Sequence, residues 1–273
     1  MRLLDYYDLS DGFRRLRSAS FADVKRWVVT LSALSFAPPP IETTGAICQV
    51  FPGTTWAHAK ALQYELATDQ GLLSTLDTAM RRQRGRPVRW QDWHPFLYAA
   101  VRVSRPNVVF ETGVFDGLSS AVILRAMERN AVGELISIDL PAEETIVNAT
   151  DRMLEGALPP GCSPGWIVPD CLRARYRLHL GDSKHLLPDA LERYKRVNIF
   201  LHDSLHTYQH QLFEYHAAWP YVVPRGLLLS DDIFWTAAFH RFCKRQGVKY
   251  VNAGRFGGFG VVTKPDNCIA SVA

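Results

Sequence analysis

Residues 198–206 read Asn-Ile-Phe-Leu-His-Asp-Ser-Leu-His, a short apolar run that ends at Asp203. A second run, Leu227-Leu-Leu-Ser, ends in the same way at Asp231 and Asp232. Short continuous apolar runs are typical of strands buried on both faces of a parallel sheet. Acids that follow such strands lie at the carboxyl edge, where open α/β sheets bind ligands. The two runs therefore predict a parallel sheet with three carboxylates at its ligand-binding edge.

Apolar runs and helical patterns alternate along the chain from residue 107 onward. The predicted strands are 107–112, 134–140, 176–181, 197–202, 226–230, 248–253 and 258–263, and the predicted helices are 118–130, 184–195, 207–219 and 234–246. This alternation indicates βαβ units and right-handed crossovers. Only Gly254–Gly258 separates the last two strands, which is too short for a parallel crossover. We therefore predict an α/β, Rossmann-like fold whose seven-stranded, mostly parallel sheet ends in an antiparallel hairpin.

The N-terminal region has helical spacing without strands. Residues 11–34 and 57–83 carry apolar residues at helical intervals, interrupted at Pro38-Pro39-Pro40 and at Ile47–Gly53. We predict a helical extension over 1-86, serving as a lid or a dimerisation arm, and a main domain over 87-273. Apolar helix faces in the extension favour a homodimer or a higher homo-oligomer.

A long connection follows the second predicted strand. Residues 141–175 are rich in proline and glycine. Connections of this length without regular structure are usually functional or disordered. Because it leaves the carboxyl end of a strand, we expect part of it to cover the substrate side.

Composition limits the class of protein. The 273 residues are 47% hydrophobic and 21% charged, which is typical of a soluble globular chain. No apolar run reaches the ~18 residues of a membrane span, and acids interrupt the start of the chain where a signal peptide is apolar. The five cysteines are scattered without a CxxC pair, which indicates reduced thiols. We expect a cytoplasmic location and no membrane partner.

Basic residues are concentrated in the first part of the chain. Residues 1–106 carry 14 Lys and Arg against 9 Asp and Glu, and five arginines lie between Arg81 and Arg89. A cluster of this size is more typical of a solvated helix end than of a nucleic-acid site. We expect no nucleic-acid partner, and the cluster is a candidate for contact with a carboxylate or phosphate of a small-molecule acceptor.

The first predicted strand runs into a glycine turn. Residues 108–119 read Val-Val-Phe-Glu-Thr-Gly-Val-Phe-Asp-Gly-Leu-Ser. Gly113 and Gly117 allow a tight bend before a helix N-terminus, whose free N–H groups can meet a ligand. Phe115 stands between them, so the turn lacks the GxGxxG pattern of dinucleotide sites. Glu111 suits a ligand that carries an ammonium group.

Further polar residues follow the second and third strands. Asp139 lies 22 residues after Gly117, where an acid accepts hydrogen bonds from ribose hydroxyls in Rossmann-like folds. Asp182 and Ser183 are placed to meet an adenine, although this pair also resembles a helix cap. A ligand with an ammonium group and an adenosine is S-adenosylmethionine. Its candidate ligands are Glu111, Gly113, Gly117, Ser119, Asp139, Asp182 and Ser183.

The acids after the fourth and fifth strands indicate a metal. Methyl transfer from a sulfonium needs a deprotonated or polarised nucleophile, and Mg²⁺ lowers the pKa of a hydroxyl that it binds. Asp203, Asp231 and Asp232 offer the oxygen ligands that Mg²⁺ prefers. His206, predicted to lie one helical turn beyond Asp203, is suited to accept the proton.

Two alternatives for these residues stay open. The alternative for Asp232 is that it only caps the helix predicted to begin near Phe234. Zinc bound by His202, His206 and His210 is the less favoured metal, because strand alternation turns His202 away from Asp203.

The chain from about Pro87 to Lys264 resembles bacterial class I S-adenosylmethionine-dependent methyltransferases of the Methyltransf_24 type. The resemblance rests on residues 109–119, 180–183, 200–208 and 226–232. These relatives include sugar and macrolide O-methyltransferases of natural-product pathways and cephalosporin-hydroxylase-like proteins. Catechol-type O-methyltransferases are similar at the same strand ends, with an acid after the fourth strand, a basic residue three positions later, and an acidic pair or Asp-Asn after the fifth.

The resemblance implies roles for particular residues. It assigns Mg²⁺ to Asp203, Asp231 and Asp232, the catalytic base to His206, and the cofactor to Glu111, Gly113, Asp139 and Asp182. Asp232 stands where the catechol-type enzymes usually have Asn. The resemblance does not extend to residues 1–86.

We therefore expect a Mg²⁺-dependent O-methyltransferase that acts on a hydroxyl of a small molecule, a sugar or a glycosylated metabolite. The alternatives are a catechol-type phenolic O-methyltransferase, a cephalosporin-hydroxylase-like protein and a non-catalytic cofactor-binding scaffold. A nicotinamide-dependent oxidoreductase would need glycine at position 115.

Overall fold

The computed structural model describes residues 38, 40–142, 158–254 and 258–266. The helix predicted over residues 11–34 lies outside these ranges. The described helices are α1 (Thr43–Val50), α2 (Trp56–Ala67), α3 (Gln70–Arg84), α4 (His94–Ser104), α5 (Leu118–Asn130), α6 (Ser183–Tyr194), α7 (Tyr208–Ala218) and α8 (Ala238–Gln246). The strands are β1 (Val108–Thr112), β2 (Glu134–Asp139), β3 (Tyr176–Leu180), β4 (Val197–His202), β5 (Val222–Ser230), β6 (Val251–Asn252) and β7 (Gly260–Thr263).

The sheet has the predicted architecture. Its strand order is β3-β2-β1-β4-β5-β7-β6. The pairs from β3 to β5 are parallel, whereas β7 is antiparallel to both β5 and β6. The prediction of a mostly parallel seven-stranded sheet with a C-terminal antiparallel hairpin is thus confirmed. β6 is shorter than predicted, and the side chain of Asn252 holds the hairpin by accepting from the backbone N–H groups of Gly254 and Phe259.

Strand alternation divides the core into two layers. On β1 and β4, residues such as Val109 and Leu201 face one layer, while Phe110 and Phe200 face the other. The first layer contains the helices α1–α5 and the 3₁₀ turn Asp170–Arg175, and the second contains α6, α7 and α8. Both faces of the sheet are covered, as the apolar strand sequences require.

The N-terminal helices differ in detail from the prediction. The region 57–83 is two helices, because Asp69 caps α3 by accepting from the N–H of Leu72 at 3.0 Å. The predicted interruption at Ile47–Gly53 is wrong over its first part, since α1 continues to Val50. Packing of this helix against α2 and α4 stabilises it despite its length. The division of the chain at residue 86 stays a prediction.

No helix within the described ranges is long and apolar enough to cross a membrane.

Candidate functional site

Backbone hydrogen bonds align the ends of four strands. The N–H of Gly113 donates to Ile138 (2.9 Å), that of Asp203 to Thr112 (2.9 Å), and that of Asp231 to His202 (3.0 Å). The segments that follow β1, β2, β4 and β5 therefore lie side by side. This alignment places the glycine turn beside the two acidic strand ends.

Gly113 has no room for a side chain. Its φ is +81°, and an added Cβ would lie 2.0 Å from the carbonyl oxygen of Asp203. A residue with a Cβ would therefore separate the turn from β4. The two strand ends depend on this glycine for their close approach.

Asp139 holds the same turn from the end of β2. Its Oδ2 accepts from the N–H groups of Val114 (2.9 Å) and Phe115 (2.8 Å), and its Oδ1 accepts from that of Leu140 (2.8 Å). Burial raises the pKa of Asp139, although these backbone hydrogen bonds oppose the shift. They fix Phe115 at φ +51°, which is unusual for a residue with a side chain. Ribose binding by Asp139 stays a prediction.

Glu111 and Ser119 contact each other. The carboxylate of Glu111 is fully buried and accepts from the hydroxyls of Ser119 (2.5 Å), Ser120 (2.5 Å) and Ser137 (2.7 Å). Burial raises the pKa of Glu111, and the three serines partly offset that rise. Gly117 is the first residue before α5, and no side chain caps this helix. Direct contact of Glu111, Gly117 or Ser119 with a ligand stays a prediction.

Asp182 and Ser183 have different surroundings. Asp182 caps α6, because its Oδ1 accepts from the N–H of Lys184 at 2.9 Å. The Ser183 hydroxyl instead points into the protein and donates to Glu214 at 2.6 Å. The capping role of Asp182 leaves its contact with adenine as a prediction.

Glu214, on α7, is a functional candidate that the sequence analysis missed. It is fully buried and accepts hydrogen bonds from five side chains, which are those of Thr112 (2.5 Å), Ser183 (2.6 Å), His202 (2.6 Å), His210 (2.9 Å) and Ser204 (3.0 Å). Burial alone would raise the pKa of Glu214, but the two histidines outweigh it and hold the pKa well below its usual range. The spacing of His210 and Glu214, four residues apart on one helix, was the only available signal.

His202 and His210 are therefore committed to Glu214. The side chain of His202 leaves β4 on the side opposite to Asp203, as strand alternation predicts. Zinc binding by His202, His206 and His210 would break the hydrogen bonds of His202 and His210 to Glu214. The structure gives zinc no support.

The three acids at the ends of β4 and β5 influence one another electrostatically. Burial, followed by the charges of Asp231 and Asp232, raises the pKa of Asp203 well above its usual range. Burial and the charge of Asp232 do the same to Asp231, which also accepts a hydrogen bond from the side chain of Trp93. Burial raises the pKa of Asp232 to about 7. Asp232 also has φ +50°, a left-handed conformation that is costly for a residue with a side chain.

This acid cluster fits a hard divalent cation in its donor chemistry. A cation would relieve the crowding of like charges, and Mg²⁺ needs only one or two carboxylates when waters and substrate oxygens complete its shell. Within the described part of the chain, no three His, Cys, Asp or Glu side chains are already arranged as a ligand group.

His206 lies beside the acids, but for a different reason than predicted. Residues 203–207 are irregular and α7 begins only at Tyr208, so the predicted helical turn after Asp203 is wrong. The Nε2 of His206 lies 3.9 Å from Oδ1 of Asp203 and has no hydrogen-bond partner among the described residues. Burial, with His202 adding to it, lowers the pKa of His206 to about 3. The imidazole is therefore neutral at pH 7.

Part of the arginine cluster contacts the glycine turn. Arg84 donates to Asp116 from Nε (2.7 Å) and Nη2 (2.6 Å), and the indole of Trp166 donates to the same carboxylate (2.7 Å). Arg81 pairs with Asp77 one turn earlier on α3. Arg84 thus serves the turn itself, while a role of the cluster in acceptor binding stays a prediction.

The described end of the long connection packs on this turn. The N–H of Gly165 donates to the carbonyl of Phe115 (2.9 Å) and that of Ile167 to the carbonyl of Asp116 (3.1 Å). Residues 143–157 of the same connection lie outside the described residues. Whether the connection forms a cover stays a prediction.

A family model and several solved structures are similar to this chain. Residues 110–233 match the family model described as "Methyltransferase domain", Methyltransf_24. No curated protein matches the chain significantly.

Solved structures share the fold at low sequence identity. The chain is similar to the O-methyltransferase TomG of Streptomyces achromogenes, involved in tomaymycin synthesis and solved with S-adenosylmethionine (16% identity, TM-score 0.51, 76% of this chain and 96% of that one). It is also similar to an O-methyltransferase of Bacillus cereus in complex with S-adenosylhomocysteine (13%, TM-score 0.50, 75% and 97%). A third is the S-adenosylhomocysteine-bound methyltransferase PaMTH1 of Podospora anserina (11%, TM-score 0.50, 79% and 98%). Residues 110–233 of this chain thus match the Methyltransf_24 family model, and the chain shares the fold of these methyltransferases.

Proposed function

We propose that this chain is an S-adenosylmethionine-dependent O-methyltransferase that uses Mg²⁺ and acts on a hydroxyl of a small molecule. The observation that carries the proposal is the alignment of the strand ends that bear Asp203, Asp231 and Asp232 beside the glycine turn, with the imidazole of His206 3.9 Å from Asp203. Bound cofactor in the structures of TomG and the Bacillus cereus enzyme supports the choice of cofactor.

The cofactor edge fits an adenosine. Leu180 at the end of β3 is 46% exposed and Leu205 just after β4 is 43% exposed. Large apolar side chains at a ligand edge are typical of surfaces that a ligand covers, and an adenine ring has two apolar faces. When bound, S-adenosylmethionine supplies a methyl group on a positively charged sulfur. The turn at Gly113 and the carboxylate of Asp139 would orient it.

The acid cluster and His206 would prepare the acceptor. Asp203, Asp231 and Asp232 would hold Mg²⁺, which when bound lowers the pKa of a coordinated hydroxyl. The Nε2 of His206 lies 3.9 Å from Asp203 without a hydrogen-bond partner among the described residues, and a neutral imidazole can accept a proton. Its low pKa makes it a weak base. Because His206 is a weak base, the proposal requires Mg²⁺ to lower the pKa of the acceptor hydroxyl.

We place the acceptor among sugars or glycosylated metabolites, with a phenolic hydroxyl of the catechol type as the second candidate. The choice of a small-molecule acceptor is supported by TomG, a structural neighbour involved in tomaymycin synthesis. A homo-oligomeric state and a cytoplasmic location belong to the same proposal.

Turnover measurements test this function. Purified protein would be incubated with S-adenosylmethionine and two acceptor panels, one of glycosylated metabolites and one of catechols, with Mg²⁺ or with EDTA. We expect S-adenosylhomocysteine to form with the first panel and only with Mg²⁺ present. His206→Ala should lower kcat by about 10²-fold or more. Product formation that EDTA does not reduce would remove the metal from the proposal.

A further inference from the structure

Glu214 has no role in the chemistry proposed above, yet it is the most heavily hydrogen-bonded carboxylate near the site among the described residues. Three of its donors are hydroxyls that lie on different connections at the carboxyl edge of the sheet. Thr112 ends β1, Ser183 opens α6 after β3, and Ser204 follows β4. One buried charge thus joins three segments that are distant in sequence.

Each hydroxyl adjoins a residue assigned to the cofactor or the metal. Thr112 precedes Gly113, Ser183 follows Asp182, and Ser204 follows Asp203. A shift of any of these hydroxyls therefore moves a binding residue through one peptide unit. The two histidines, His202 and His210, approach the same carboxylate from β4 and α7 and keep it ionised.

We propose that Glu214 is a positioning residue, which sets the spacing of the loops after β1, β3 and β4 and thereby the affinity for S-adenosylmethionine. The inference rests on the proposed function, because it takes this cofactor as the ligand of those loops. It assigns Glu214 no contact with the cofactor itself.

The carboxylate is chemically necessary for this arrangement. An ionised carboxylate is an acceptor only, and Glu214 accepts five hydrogen bonds through its two oxygens. A glutamine of nearly the same size has one acceptor oxygen and a donor amide. Its amide would face either the Thr112 and His202 pair or the other three donors, so the loops would have to move apart or their hydroxyls turn.

The first test compares Glu214→Gln with a matched carboxylate elsewhere. Glu65 on α2 accepts from Tyr98 and Arg102 in the N-terminal helical layer, away from the loops. Calorimetry with S-adenosylhomocysteine should give a Kd about tenfold higher or more for Glu214→Gln than for wild type. Glu65→Gln should bind as wild type does, even if its thermal stability falls by as much.

Smaller changes keep the inference testable if Glu214→Gln does not fold. Ser183→Ala and Thr112→Val each remove one donor to Glu214 and should weaken binding of S-adenosylhomocysteine a few-fold. Ser183→Thr keeps a hydroxyl and should bind more tightly than Ser183→Ala. In the Glu214→Gln background, Ser183→Ala should add little, because the two residues act through one interaction.

The outcomes separate this inference from the function on which it rests. Wild-type affinity in Glu214→Gln, or in both Ser183→Ala and Thr112→Val, would overturn the positioning role and leave the proposed function standing. If Glu65→Gln lost as much affinity as Glu214→Gln, the positioning role would also be overturned, since general destabilisation would then explain the effect. No binding by the wild-type protein would refute the cofactor assignment itself.

Discussion

Arg84, the last residue of α3, forms a two-point ion pair with Asp116 in the glycine turn, 32 residues later. The two side chains are only 10% and 6% exposed, and the guanidinium of Arg84 also lies 4.8 Å from the ring centre of Phe115. The N-terminal helices are thereby connected to the predicted cofactor turn. Trp166 from the long connection shares the carboxylate, so three distant segments meet at Asp116.

Removing the Arg84 guanidinium should destabilise the protein, because it leaves the buried carboxylate of Asp116 without its cation. We expect Arg84→Met to lower the free energy of unfolding by about 3 kcal/mol and to weaken binding of S-adenosylhomocysteine. Urea unfolding and calorimetry measure the two effects. Arg81→Met is the matched control, since Arg81 pairs with Asp77 at the surface and its loss should change little. Equal effects of the two variants would show that the ion pair does not hold the turn.

Gly113→Ala should abolish cofactor binding. The added Cβ would lie 2.0 Å from the Asp203 carbonyl at φ +81°, so clash and strain together should cost about 3 kcal/mol or more. Gly85→Ala is the control, because Gly85 has φ +65° with no atom within 4 Å of the added Cβ. The free energy of unfolding of Gly85→Ala should fall by only about 1 kcal/mol, and this variant should bind the cofactor with wild-type affinity. Cofactor binding by Gly113→Ala would contradict the close contact between β1 and β4.

Asp69 should make the free energy of unfolding depend on pH in the acidic range. Burial raises its pKa, but hydrogen bonds and charge from Arg125, with the N–H of Leu72, outweigh that effect and lower the pKa to about 2. Its stabilisation is therefore complete above pH ~4 and is lost as pH falls towards 2, a difference of about 2 kcal/mol. Unfolding of wild type and Asp69→Asn from pH 6 to 2 measures this. If the difference in unfolding free energy between wild type and Asp69→Asn did not shrink in acid, the lowered pKa of Asp69 would be refuted.

The acid cluster should destabilise the metal-free protein progressively as pH rises. The pKa of Asp203 is raised in the folded state, so folding is favoured below its unfolded pKa and weakened as pH rises through the folded value. In EDTA at pH 8, Asp203→Asn should therefore be more stable than wild type, by about 1 kcal/mol. The gain should vanish near pH 4. A loss of stability at pH 8 would mean that the Asp203 charge is already compensated.

The sequence predicted the sheet well because buried parallel strands carry a strong local signal. Phe200 and Leu201 sit in a continuous apolar run, and the rule that ligands bind at the carboxyl edge then placed Asp203 beside Asp231. Helix boundaries were less certain, as the irregular segment at His206 shows. The spacing of Asp203 and His206 was interpreted as one helical turn, whereas the helix begins only at Tyr208, one residue after its predicted start.

Polar pairs between residues far apart in the chain could not be predicted from the sequence. Nothing in the local pattern relates Arg84 to Asp116, or Glu214 to Thr112, 102 residues earlier. A glutamate on an amphipathic helix is most often exposed. Only the packing of α7 on the ends of β1 and β4 makes Glu214 a buried centre of hydrogen bonds.

We expect the edge beside Gly113 to bind S-adenosylmethionine and the neighbouring acids to bind Mg²⁺. The most direct test is calorimetric titration of wild type and Asp203→Asn with S-adenosylmethionine, with and without Mg²⁺, and with Mg²⁺ alone. Both proteins should bind the cofactor, and the wild type should show a heat of Mg²⁺ binding that the variant lacks. Absence of cofactor binding by the wild type, or an equal Mg²⁺ response in Asp203→Asn, would contradict this expectation.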